Sequence, residues 1–331
     1  MKLGVLQFFS WPGRHGPLED VYARALERIE IMDRGGFDAV WLAEHHFTTF
    51  SVCPSVHMLG VLAAARTTRL RIGTAVSLAA LYHPLRLAEE VALLDVLSGG
   101  RVNWGAGRGF AHSEFAAFGV PPEESGERFR EAVEIVLAAW RDDRLTYHGR
   151  HFSFDEVEVL PKPLQRPHPP VWMAATSEEA IAWAAGRGFS ILMDPHASIE
   201  ELGRKRRLYA DKLTEAGFSE KDRDIPMARL LALAATEAEA AAIARRGAQW
   251  LLDAYAGPQH THRKSMQVRR NYDGRDPVDY YVDNVILHGT PEAVVDKVAR
   301  LKEEIGLTYL ICAPLSRESF RLLADQVAPR L

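Results

Sequence analysis

Four short stretches of this chain combine residue types that can do chemistry. Glu44-His45-His46-Phe47 sets two imidazoles beside a carboxylate. Adjacent residues on extended chain point to opposite sides, so His45 and His46 cannot readily chelate one ion. No H-x-x-x-H or C-x-x-C pattern supports a metal there, and none is expected. One imidazole as a proton donor or acceptor near neutral pH is the functional reading, and a hydrogen-bonded structural histidine is the bland one. Gly105-Ala106-Gly107-Arg108-Gly109 joins glycines, which let a ligand approach the backbone, to a guanidinium suited to a phosphate. The same residues also make a plain turn with a surface arginine. Ala175-Thr176-Ser177 runs into a helix start, where backbone N–H groups favour an anion, unless Thr176 only caps its own helix. Thr74-Ala75-Val76-Ser77-Leu78-Ala79-Ala80 is small enough to leave room for a flat ring, or simply to pack.

These stretches share one position in the pattern: each follows a β-rich run. The runs are Leu3 to Phe9, Phe37 to Leu42, Leu70 to Ser77, Arg101 to Ala106, Val171 to Ala175, Phe189 to Met193, about Ala228 to Ala235, and Leu307 to Ala313. Longer segments of helical period lie between them, such as Ser125 to Trp140, where Phe129, Val133, Val136, Leu137 and Trp140 recur on one face. Thr176-Ser177-Glu178-Glu179, Ser198-x-x-Glu201 and Thr236-x-x-Glu239 read as capping boxes. Thr290-Pro291-Glu292 is a cap followed by a first-turn proline and an acid. Eight parallel βα units close naturally into a (β/α)8 TIM barrel, whose active site lies at the carboxyl ends of the strands. An open doubly wound sheet would use the same elements, but its G-x-G-x-x-G after the first strand is missing. The expectation is therefore a single α/β barrel domain over 1–331 with two insertions. The first is a hairpin-like excursion and Pro-rich connector at 145–170, with five prolines between Pro161 and Pro170. The second, at 257–283, is polar and aperiodic and reads as a mobile lid carrying His262, Arg263, Arg269 and Arg270.

Composition narrows the classes. The 331 residues are 47% hydrophobic and 25% charged, ordinary for a globular chain able to bury a large core without disulfides. A net charge of −4 with mixed signs offers no nucleic-acid footprint. Cys53 and Cys312 are too few for a disulfide framework and fit a reducing compartment. Neither a secretory leader nor a membrane-length apolar run is apparent, so a cytoplasmic protein is expected.

Taken in order, the pieces resemble the bacterial-luciferase-like flavin monooxygenases. The resemblance rests on Ala39-Val40-Trp41-Leu42-Ala43-Glu44-His45-His46-Phe47, Ile72-Gly73-Thr74-Ala75-Val76 and His83-Pro84 through Leu93-Leu94-Asp95. It continues through Ser98-Gly99-Gly100-Arg101, Gly107-Arg108-Gly109-Phe110, Phe118-Gly119-Val120, Pro169 through Ser177, and His288-Gly289-Thr290-Pro291-Glu292. It implies a luciferase-like barrel, usually a homodimer, that receives reduced FMN from a separate flavin reductase. Oxygen adds to that flavin, and the resulting flavin peroxide oxidises a small organic substrate. By position the resemblance makes His45 the catalytic histidine and Arg108 the arginine at the flavin phosphate. Thr176 and Ser177 match the phosphate-binding turn. Ala75 and Val76 match the place where the family often has a non-proline cis peptide beneath the ring. Gly107 stands where luciferase has its reactive cysteine, which argues against light emission. Thr176 replaces the luciferase glutamate, which shifts phosphate contacts toward backbone N–H groups and Ser177.

Three other readings compete: a deazaflavin-dependent reductase transferring hydride in the same barrel, a flavin-binding protein without turnover, and a metal-dependent barrel hydrolase. Phe8, Trp11, Phe47, Phe110 and Trp172 suggest an apolar pocket near the strand ends, or core.

Overall fold

Short apolar runs buried on both faces form the strands, and amphipathic segments form the helices between them. The structure is a computed structural model that describes residues 1–193, 195–224, 226–256, 272 and 274–331. In chain order the first elements are β1 (Lys2–Gln7), α1 (Leu18–Arg34), β2 (Ala39–Leu42), α2 (Val56–Arg66), β3 (Arg71–Thr74), β4 (Ser77–Leu78) and α3 (Pro84–Leu97). Next come β5 (Val102–Gly107), α4 (His112–Ala117), α5 (Ser125–Arg141), β6 (Leu145–His148), β7 (Ser153–Val157), β8 (Val171–Ala174), α6 (Glu178–Ala185) and β9 (Ser190–Leu192). The last are α7 (Ile199–Glu215), β10 (Pro226–Leu233), α8 (Glu237–Ala256), α9 (Pro277–Asn284), β11 (Leu287–Gly289), α10 (Pro291–Ile305), β12 (Tyr309–Pro314) and α11 (Arg317–Leu322).

The chain falls into two compact units. One comprises Gln7–Asp33 and Val40–Ala174. In it β5 is the central strand, parallel to β3 through Ile72 opposite Val102 and to β8 through Trp104 opposite Val171. Every residue of β5 is buried. Tryptophans fill this core edge to face: Trp104 on Trp140 with ring centres 5.0 Å apart, and Trp41 on Trp172 at 5.1 Å. Gly73 makes room for that packing, because a Cβ there would stand 2.3 Å from the Trp41 ring. Antiparallel β6 and β7 form a hairpin. Buried Asp95 accepts the backbone and side-chain N–H of Gln165 and so anchors the connector that follows.

The other unit comprises Met1–Leu6, Arg34–Ala39 and Ala175–Leu331. Here β12 lies between β1 and β10, all parallel, with Lys2 and Pro226 each opposite Tyr309.

Several elements differ from the sequence reading. The run expected as one strand from Leu70 to Ser77 is split into β3 and β4, and the Ala75–Val76 peptide between them is cis. Ala75 N–H donates to the Leu42 carbonyl at that break. The short strand β11 was not expected; it pairs with Leu231–Leu233 of β10, and three residues are too few to reveal a period. The cap of α6 is Ser177, whose hydroxyl accepts the Ala180 N–H, rather than Thr176. Of the 257–283 lid, 257–271 and 273, with His262, Arg263, Arg269 and Arg270, lie outside the described residues. Its end is helix α9, capped by Asp276 with Pro277 in the first turn.

Candidate active site

Just past β2, three consecutive side chains diverge. Glu44 is buried, and its carboxyl oxygens accept the His46 ring N–H at 2.9 Å and the Leu78 N–H at 3.3 Å. The His46 backbone N–H donates to Glu114 at 3.0 Å. Burial raises the Glu114 carboxyl above its usual range, and Glu44 adds to that while the His46 N–H opposes it. Burial, then Glu44, likewise raises the Tyr82 hydroxyl. His45 turns to other partners. Its backbone N–H donates to the Cys53 carbonyl, and its ring sits among aromatic rings: Phe50 edge-on at 5.2 Å, Phe8 stacked at 6.2 Å and Phe110 edge-on at 6.4 Å. A half-buried imidazole among such rings suits a proton-transfer group more than a metal ligand. Among the described residues no three His, Cys, Asp or Glu side chains are placed to share a metal ion.

The Ala75–Val76 segment is half-exposed between neighbours that are buried. On one side the Thr74 hydroxyl donates to the Gly105 carbonyl at 2.7 Å and accepts the Gly105 N–H at 2.8 Å. On the other, the Ser77 hydroxyl meets the His57 ring at 3.0 Å. Gly107 lies against this segment: a Cβ there would stand 2.5 Å from Val76 Cγ2. Arg108 follows, exposed, with its guanidinium 3.3 Å from the Ser125 hydroxyl. The structure thus brings Ala75, Val76, Gly107 and Arg108 together, with His45 in the same unit. Thr176 and Ser177 belong to the other unit, where both are exposed at the start of α6. Because the Ser177 oxygen accepts from Ala180, its own proton remains available to an anion.

Residues 1–309 match the family described as luciferase-like monooxygenase. The chain belongs to the luciferase-like monooxygenase family. It is 43% identical over 178 residues to the uncharacterized protein y4wF of Sinorhizobium fredii. It is 32% identical over 187 residues to the oxygenase component of the flavin-dependent trigonelline monooxygenase of Acinetobacter baylyi. These matches take in 54% and 56% of this chain, and it spans only about half the length, 52%, of either relative. Among solved structures, the monooxygenase RslO1 of Streptomyces bottropensis superposes with a TM-score of 0.83 at 28% identity over 99% of both chains. An F420-dependent secondary alcohol dehydrogenase shares the fold at a TM-score of 0.79 and 19% identity, over 99% of this chain and 98% of that one. The fold is therefore the α/β luciferase-like barrel, and proteins similar to this chain include a flavin-dependent monooxygenase component and an F420-dependent dehydrogenase. No helix of the described residues is long and apolar enough to cross a membrane.

The residues present fit a flavin. The half-exposed Ala75–Val76 backbone offers a flat bed beside a glycine, and an arginine follows for a phosphate. In the same unit, Gln7 has a buried side-chain carbonyl oxygen that no described residue donates to. Sequence reasoning missed Gln7, Glu114 and the His57–Ser77 contact. A lone histidine inside the otherwise small and apolar helix α2 was the one available clue. Of the aromatics proposed to line a pocket, Phe8 and Phe110 do flank His45, whereas Trp172 is core against Trp41.

Proposed function

We propose that this luciferase-like enzyme is a two-component, FMN-dependent monooxygenase. It would take reduced FMN from a separate flavin reductase and use O2 to oxidise a small organic substrate. The observation that carries the reading is the half-exposed Ala75–Val76 segment, flanked by Gly107 and Arg108, in the same unit as a histidine enclosed by aromatic rings. Bound FMN supplies the electrons that activate oxygen. The chain's own residues bind, orient and exclude water. Ala75 and Val76 carry the ring, and Gly107 lets them lie close. Arg108 holds the phosphate by charge-assisted bonds. His45 holds or delivers a proton at its ring nitrogen, and Phe8, Phe50 and Phe110 pack around it.

Two further features support the wider assignment. Helices α2 and α3 expose Met58, Leu62, Leu93, Val96 and Leu97, an apolar surface that a second copy of the chain would cover in a homodimer. Both cysteines are free and buried, as suits a reducing cytoplasm.

Stopped-flow absorbance tests the reading. Chemically reduced FMN is mixed with the protein and oxygen, and the return of oxidised-flavin absorbance is followed. A marked delay relative to free reduced FMN is expected. Reoxidation at the free-flavin rate would sink the monooxygenase and turn attention to deazaflavin hydride transfer or passive binding.

A further inference from the structure

Behind the Ala75–Val76 segment lies a chain of three polar side chains, two of them buried, that the proposed chemistry does not use. Ser77, on β4, is fully buried. Its hydroxyl stands 3.0 Å from His57 Nε2. His57, on α2, is also buried, and its Nδ1 stands 3.0 Å from a Glu90 carboxyl oxygen on α3. Arg86, one turn earlier on α3, donates to the other Glu90 oxygen at 2.7 Å. The His57 hydrogen bond, backed by Arg86, holds the Glu90 carboxyl down to about 2, so it is ionised at neutral pH. An ionised carboxylate only accepts, so Nδ1 of His57 carries the proton. Its Nε2 faces the Ser77 hydroxyl on the other side of the ring.

The order serine, histidine, carboxylate invites comparison with a nucleophilic triad. Ser77 has no exposed surface for a substrate to reach, and its hydroxyl faces α2 and α3, so that reading fails. Its neighbours in sequence matter instead. Ser77 directly follows the half-exposed Val76, and Thr74 directly precedes Ala75 with both its hydrogen bonds made to Gly105. The open segment is therefore clamped at each end by a buried hydroxyl. On the Ser77 side the clamp reaches through two helices to a carboxylate that still touches solvent.

We propose that Glu90, His57 and Ser77 are positioning residues that fix the Ala75–Val76 bed on which the flavin ring lies. The assignment rests on the flavin reading above. Side chains that bear on a ligand through one intermediary act by locking its immediate contacts in place.

The test titrates oxidised FMN into the full chain and three variants, Ser77→Ala, His57→Gln and Glu90→Gln, following flavin fluorescence and visible circular dichroism. Ser77→Ala deletes one atom, so it remains informative if a His57 variant does not fold. Loss of one buried hydrogen bond at the bed should raise Kd up to about tenfold. The visible circular dichroism of bound FMN should also change, because the ring sits on a shifted bed. Arg108→Ala, which touches the phosphate, should weaken binding with the dichroism of the bound flavin kept. A purely structural role predicts a lower thermal midpoint with Kd and dichroism as in the wild type, and that result overturns the proposal. Absence of saturable binding by the wild type to both oxidised FMN and FMN chemically reduced without oxygen is a different failure. It overturns the flavin reading itself, and this assignment with it.

Discussion

Neighbouring histidines with unlike surroundings divide the labour at the end of β2. His46 is committed on two sides, by ring to Glu44 and by backbone to Glu114, whereas the His45 ring lies among Phe8, Phe50 and Phe110. His45→Ala should therefore leave the FMN dissociation constant nearly unchanged while slowing substrate oxidation about a hundredfold or more, the usual worth of a positioned acid or base. Equal turnover would remove His45 from the chemistry. Arg108→Ala should act in the opposite sense. A charge-assisted bond is worth about 1.5–3 kcal/mol, so FMN affinity should fall about ten- to a hundredfold in a fluorescence titration. A third expectation concerns acid. Glu90 sits near 2 when folded against an ordinary 4.5, held first by His57 and then by Arg86. Its stabilising effect is complete above 4.5 and is lost as pH falls toward 2. Urea unfolding across that window should find the wild type losing stability more steeply than Glu90→Gln. Parallel curves would refute the link. At this scale the Glu44-His45-His46 and Gly107-Arg108 stretches stood out by their place after β-rich runs, and the choice of His45 and Arg108 came from the resemblance. The sequence hid His57, Ser77 and Glu90, because their partnership spans three elements and no local spacing records it.

Elements were most legible where burial on both faces leaves a continuous apolar run, as in β2 and β5, and where a cap has its usual residues, as in Ser198 before α7 and Thr290 before α10. They were least legible where tertiary contacts decide. The break between β3 and β4 follows from bonds to Leu42, Gly105 and His57, none of them local. Helix α9 was hidden by the polar stretch before it, although Asp276-Pro277 is a sound helix start. One consequence of the split strand can be measured. Gly107 pairs with Leu78 of β4, and its missing side chain is what lets Val76 lie against it. In Gly107→Ala the new Cβ would press on Val76 Cγ2 at 2.5 Å and reach the Ala174 Cβ at 3.4 Å. Overpacking of this kind costs about 1–3 kcal/mol, so the thermal midpoint should drop and FMN binding should weaken together. A variant with wild-type binding would mean that Val76 shifts freely, and that the bed is not set by this contact.

For the whole molecule, the alternation of strands and helices made the barrel legible, because eight parallel units with right-handed crossovers have few ways to close. The expectation of a homodimer came only from the resemblance, since apolar residues at helical spacing read as core until their exposure is known. Met58 is 77% exposed and Leu97 55%. Side chains of this kind, clustered on two packed helices, are costly to leave in water at about 25 cal/mol per Å² of apolar surface. A two-fold dimer buries the same patch on each copy, so one pair of substitutions acts twice. Sedimentation velocity at micromolar concentration should therefore give twice the chain mass of 37.0 kDa for the wild type. Met58→Glu with Leu97→Glu places four carboxylates in that interface and should return the single-chain mass with the circular dichroism of a folded barrel. A wild-type protein sedimenting at the single-chain mass would leave α2 and α3 facing solvent and remove the homodimer from the assignment.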